Sequence, residues 1–254
     1  MPDPSHHLQL LSRLRAEISG AGLAARVGGL LPFGIDAIDH RLAERGLGGA
    51  ALHEVAAASP DLAEDAATTL FAAGIAARFA EQRGSVVWAV TRFDLYSPGL
   101  EQVGLTPERI LYVEGNEDAQ VLAVMEDALR HGSLAAVIGE VRRANMTATR
   151  RLQLAATEGR TPALLFRRWR KAGVCPLSEP SAATTRWRIG CAPSPSRVTP
   201  GVGRPHWSVE LVRQRNGDPF ILTLEACDAK GRLALPPAFA DRAVAGAGAS
   251  THAA

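Results

Sequence analysis

The sequence predicts an α/β protein, with a mostly parallel sheet flanked by helices and extended at its C-terminal end by antiparallel strands. Two observations lead there. Between residues 51 and 169, five short apolar runs alternate with helical stretches, the pattern of a parallel sheet covered on both faces. From about residue 184 the strands alternate in polarity and follow too closely for crossover helices, which implies antiparallel neighbours.

The elements follow in order. "HHLQLLSRLRAEI" sets Leu8, Leu11, Leu14 and Ile18 at helical spacing, so residues 1–27 are assigned to an amphipathic helix and linker. "GGLLPFGIDAIDHRLAERGLGG" is punctuated by Gly and Pro around a short helix, 35–43. A strand over 51–58 then runs through a loop into an Ala-rich helix with Thr68 and Thr69 in its first turns. "GSVVWAV", "ERILYVEG", "SLAAVIGEV" and "TPALLFRRW" are the next four strands. The helices between them are "SPGLEQVGL", opened by Ser-Pro, "DAQVLAVMEDALRHG", closed by Gly132, and "NMTATRRLQLAATEGR". "TTRWRIGC", "HWSVELVRQRNG" and "PFILTLEACD" are the C-terminal strands, with a hairpin turn at Asn216-Gly217. The core is thus placed at 28–240, its antiparallel extension at 184–240, and a disordered tail at 241–254.

Composition narrows the function classes. A chain of 254 residues, 46% hydrophobic and 21% charged, is long enough to bury a sizeable core. No apolar run reaches the roughly 18 residues of a membrane span and no segment resembles a signal peptide, which predicts a cytoplasmic protein with no membrane partner. Cys175, Cys191 and Cys227 are odd in number, far apart and in no CxxC pair, so they read as small core hydrophobes; no metal site is expected. Charge is unevenly distributed: residues 1–141 hold 10 Arg and 19 acids, whereas residues 142–215 hold 15 cations and 3 acids. A block of net +12 reads as a surface for an anionic partner, either nucleic acid or an acidic protein.

The strand–loop–Thr-Thr–helix order at 51–73 matches the plan of a phosphate-binding loop, but the residues that perform its chemistry are absent. Such a loop needs glycines so that backbone N–H groups can curl round phosphates, a Lys for the β/γ-phosphates and a Ser/Thr for Mg²⁺. Here no glycine occurs between Gly49 and Gly74, and Ala66-Ala67-Thr68-Thr69 stands where Gly-Lys-Thr-Thr would. Asp61, Glu64 and Asp65 would each repel a triphosphate by about 1–4 kcal/mol at contact distance. Glu140 ends a later apolar strand where an ATPase keeps its Mg²⁺ carboxylate, but it has no phosphate loop to work with. Arg92 and Phe93 occupy the place of a catalytic Glu. Neither ATPase activity nor a cofactor is expected, and there are no candidate catalytic residues.

In "FGIDAIDHRLAERGLGGAALHEV", "SVVWAV", "LEQVGLTPERILYVEG", "VMEDALRHGSLAAVIGEV" and "ALLFRRWR", spanning about residues 28–170, the chain resembles the RecA superfamily. More closely it resembles the ImuA family of bacterial damage-inducible mutagenesis proteins, over roughly residues 8–242. That resemblance is carried by "FGIDAID", the missing phosphate loop before "TTLFAAGIAAR", and "WSVELVRQRNGDPFILTLEACDAKGRLALPP". It implies a non-catalytic adaptor in SOS-induced translesion synthesis, engaging RecA and an ImuB-type Y-family polymerase homologue beside an error-prone replicative-type DNA polymerase. The related label of a SulA-like cell-division inhibitor, binding a tubulin-like GTPase, is the alternative. By analogy with RecA packing, Leu8, Leu11, Leu14, Phe33 and Ile35 are candidates for a partner interface, or for packing on their own core. Arg142, Arg143, Arg150, Arg151, Arg167, Arg168, Trp169, Arg170 and Lys171 are candidates for single-stranded DNA or an acidic partner, since Arg with an interleaved Trp suits phosphate contact and base stacking.

Overall fold

The computed structural model describes residues 29–81, 84–169, 173–194 and 203–236. The helix expected within 1–27, with Leu8, Leu11 and Leu14, falls outside these residues, as do Arg170, Lys171 and residues 241–254. A two-stranded antiparallel ribbon, β1 (Leu30–Leu31) with β2 (Leu47–Gly48), brackets a one-turn helix, α1 (Asp36–Asp39). Then come β3 (Leu52–Ala57), α2 (Leu62–Ala80), β4 (Val86–Val90), α3 (Ser97–Gln102), β5 (Ile110–Glu114), α4 (Asp118–His131), β6 (Ala136–Val141), α5 (Met146–Gly159) and β7 (Ala163–Arg167). Three strands close the chain, β8 (Thr185–Ala192), β9 (His206–Gln214) and β10 (Phe220–Glu225).

These strands form one sheet in the order β10-β9-β8-β3-β7-β6-β4-β5, as expected of a RecA-like core. Right-handed crossovers explain the layers. The chain steps outward from β3 to β4 and β5 through α2 and α3, then back to β6 and β7 through α4 and α5, so the two helix pairs fall on opposite faces. Side chains of period two divide accordingly. Val86, Trp88, Val90, Ile138, Leu164 and Phe166 join the core under α2, while Val87, Ala89, Val137 and Leu165 join that under α4 and α5.

One expectation is corrected. β8 runs parallel to β3 on one side and antiparallel to β9 on the other, so the antiparallel pairing starts between β8 and β9 and continues to β10. Among its described residues the connection 168–184 contains one 3₁₀ turn, Pro176–Ser178, yet it carries the chain from the end of β7 back to the start of β8 beside that of β3. A parallel crossover needs only enough chain to return, not a helix.

Contact between α4 and α5 depends on Gly159. A Cβ there would fall inside van der Waals contact with the backbone oxygen of Leu129, which cannot rotate away. Gly159→Ala would gain about 1 kcal/mol of helix propensity, but overpacking is expected to outweigh it, for a net loss of about 1–3 kcal/mol. A lower urea midpoint at unchanged slope checks this.

Candidate functional site

The carboxyl ends of β3, β4, β6 and β7 open onto a crevice of ≈ 630 Å³, bordered by Leu62, Asp65, Glu140, Arg168 and Trp169. Ligands of open α/β sheets bind in this position. The connection from β3 to α2 is only four residues, 58–61, and α2 is already helical at Leu62. Ala66, Ala67, Thr68 and Thr69 therefore lie beyond the first turn, where backbone N–H groups bond within the helix and cannot cradle an anion. Both threonine hydroxyls turn inward as well: Thr68 Oγ1 donates to the Glu64 carbonyl at 2.7 Å, and Thr69 Oγ1 to that of Asp65 at 3.0 Å.

An arginine occupies the middle of this crevice. Arg168 leaves the end of β7 and its Nε donates to Glu140 Oε2 at 2.8 Å, with Nη2 at 2.5 Å from the same oxygen. Its Nη1 meets the Asp65 carboxylate, and its guanidinium lies 4.3 Å from the centre of the Phe166 ring. The other Glu140 oxygen accepts Nε1–H of Trp88 at 2.7 Å. Trp169 donates its Nε1–H to the carbonyl of Ala57, the last residue of β3, at 2.9 Å. Burial pushes the Glu140 carboxyl up and the Arg168 guanidinium down from their ordinary values, and the Trp88 hydrogen bond opposes the first of these shifts. Glu140 thus has an internal cation where an ATPase carboxylate would face Mg²⁺. A phosphate entering here would have to take Arg168 from two carboxylates and then lie against them.

A second charged cluster lies mid-sheet on the opposite face. Glu54, fully buried on β3, is flanked by β7 and β8. Its Oε1 accepts from Arg167 Nη1 at 2.9 Å and its Oε2 from Arg186 Nε at 2.7 Å. Arg167 also reaches Glu179 at 2.6 Å.

No protein-family model matches the chain. Two curated relatives do, both named Protein ImuA and both from Caulobacter vibrioides, strains NA1000 / CB15N and ATCC 19089 / CIP 103742 / CB 15. Each is 36% identical over 208 residues, covering 79% of this chain and 84% of the relative. The chain belongs to the ImuA family. Among the described residues of this ImuA-family chain, no group of three or more His, Cys, Asp or Glu is arranged to hold a metal ion.

The structure divides the predicted cationic site. Arg142, Arg143, Arg150 and Arg151 are exposed, on the turn after β6 and on α5. Asp118 anchors that turn by accepting the backbone N–H groups of Arg142 at 3.1 Å and Arg143 at 2.9 Å. Arg151 is paired with Glu126 at 2.6 Å. Arg167 must be withdrawn as a DNA or partner contact, because it is fully buried against Glu54. Arg168 is committed to the crevice carboxylates, while half-buried Trp169 is tied to Ala57 through its Nε1–H. Phe33 and Ile35 are corrected in the same way: they are 3% and 7% exposed, in the core, with Phe33 packed 5.5 Å from the Trp187 ring. Counting charges along the chain missed these outcomes because β7 alternates faces, sending Arg167 and Arg168 to different carboxylates. Glu54 and Glu140, acids inside apolar strands, were the available signal for buried ion pairs.

Proposed function

We propose that this ImuA-family protein is a non-catalytic RecA-like adaptor in damage-inducible mutagenesis. It would engage RecA and an ImuB-type polymerase homologue, and through the latter an error-prone replicative-type polymerase, during SOS-induced translesion synthesis in the cytoplasm. Family membership supports the damage-inducible setting. The observation that carries the adaptor reading is the crevice at the carboxyl edge, where Arg168 bridges Glu140 and Asp65 in place of a nucleotide's metal and phosphates. A RecA-like scaffold without that chemistry still has surfaces through which such folds assemble, so its action would be contact rather than turnover. Of the described candidates, Arg142, Arg143, Arg150 and Arg151 stay exposed and keep single-stranded DNA or an acidic protein as candidate contacts of that surface.

The test is the single-strand-dependent ATPase rate of RecA as the protein is titrated in, with the protein's own rate subtracted. A dose-dependent change at substoichiometric ratios is expected. An unchanged rate up to equimolar protein would contradict the RecA contact.

A further inference from the structure

β10 is an outer strand of the sheet, and its own chain covers its outer edge at one residue only. Glu225 exchanges both backbone hydrogen bonds with Ala234, its N–H donating at 2.8 Å and its C=O accepting at 3.5 Å. Its peptide groups therefore point away from β9. The register between β9 and β10 is unbroken, so Thr223 and Ile221 share that outward direction. Among the described residues no strand lies beyond them to accept or donate. The chain cannot extend the ladder itself in this register, because Pro236 falls opposite Thr223 and has no N–H to give. The side chains mark the same edge. Ile221 is 59% exposed on one face, and Phe220 and Leu222 are half-buried on the other. Natural sheets blunt an open edge with Lys, Pro or a bulge. β10 has none of these, and its one charged residue, Glu225, is paired with Arg204 at 3.2 Å.

We propose that β10 pairs antiparallel with β10 of a second copy of this chain, about a two-fold axis passing between the two Leu222 residues. The pattern of free backbone groups selects this occupant. The open stretch runs from Phe220, where the strand begins after the hairpin turn, to Leu224, just before the residue held by Ala234. Its outward groups sit symmetrically about Leu222, at 221 and 223. With Leu222 opposite its counterpart, Ile221 of each copy faces Thr223 of the other. Each of those two residue pairs exchanges both of its hydrogen bonds, so every free donor and acceptor is satisfied. Leu222 lies beside Leu222 on one face and Ile221 beside Thr223 on the other, which covers apolar surface on both sides of the seam. A pairing this short is small for a protein interface, so association in the micromolar range is expected. The proposal goes beyond the adaptor reading, and its test does not involve RecA.

Sedimentation equilibrium of the full-length protein across the micromolar range tests it, and a monomer–dimer equilibrium is expected. Ile221→Lys should weaken the dimer about tenfold, because the two lysines would stand on one face in diagonal positions, about 7–8 Å apart. The side chain is exposed, so this variant should keep the parent's urea midpoint. Leu154→Lys, at a leucine 62% exposed on α5, should leave the equilibrium unchanged. The register is read by Leu222→Cys in a Cys191→Ser background, which removes the exposed native thiol. Opposed residues of a non-hydrogen-bonded antiparallel pair have Cα atoms about 4.5 Å apart, within disulfide reach. Mild oxidation should therefore give a covalent dimer that Cys191→Ser alone does not. A monomer at every concentration would overturn the proposal. So would a dimer that keeps its affinity in Ile221→Lys or gives no cross-link through Leu222→Cys, since β10 would then not be the seam.

Discussion

Glu54→Ala is expected to cost about 3–5 kcal/mol, a large share of the stability of an ordinary domain. The carboxylate is fully buried on the central strand and is the shared partner of Arg167 and Arg186, which are 0% and 5% exposed. Removing it leaves two guanidinium groups facing each other without a counter-charge between them. Arg167 Nε and Arg186 Nη2 already lack a hydrogen-bond partner among the described residues. Glu179, partly exposed, would still hold one end of Arg167. Urea unfolding measures the loss. Replacing Glu54, Arg167 and Arg186 together by Leu or Met should recover most of it, because a buried ion cluster can be exchanged for apolar groups of similar volume at little net cost. If the single and triple variants are equally unstable, shape rather than charge holds this part of the sheet.

Acid is expected to remove a further contribution of about 3 kcal/mol through His53. This residue is fully buried on β3 and hydrogen-bonded at both ring nitrogens. Nε2 donates to the Gly48 carbonyl at 2.9 Å, so Nδ1 accepts from Thr185 Oγ1 at 2.7 Å; that oxygen in turn accepts Nε1–H of Trp187 at 2.7 Å. The chain of bonds is complete only with a neutral imidazole, and burial lowers its pKa to about 4. The unfolded chain binds the proton near 6.5, whereas the folded protein refuses it until about 4. Stability from this group is therefore full above pH 6.5 and is lost progressively as pH falls to about 4. Urea midpoints measured from pH 7 to pH 4 check it: a His53→Gln variant should show a shallower decline than the parent, and parallel curves would contradict the assignment.

Much of the fold was legible because local chemistry marked it. Gly132 ends α4 in the left-handed conformation at φ 73°, Asn145 caps α5 by accepting the N–H of Ala148, and Asn216 adopts the positive φ of a tight hairpin turn. The direction of β8 was not legible, since alternating polarity records which faces are wet and not which way the neighbouring strand runs. The candidate site was legible as an absence, in the missing glycines and lysine, but its replacement was not. Arg168 stands next to Arg167 in a run that reads as one basic patch, and strand parity sends one to Glu140 and the other to Glu54, 86 residues apart in the chain. Phe33 and Ile35 carried no mark to distinguish a core apolar residue from an interfacial one.

We infer that the Arg168 ion pairs stand where a RecA-like crevice would hold its nucleotide, and equilibrium titration with a fluorescent ATP analogue in the presence of Mg²⁺ is the test. No saturable binding is expected, because Glu140 and Asp65 already hold Arg168 and the N-terminal turn of α2 leaves no phosphate loop. Saturable binding in the micromolar range, abolished by competing unlabelled ATP, would contradict it.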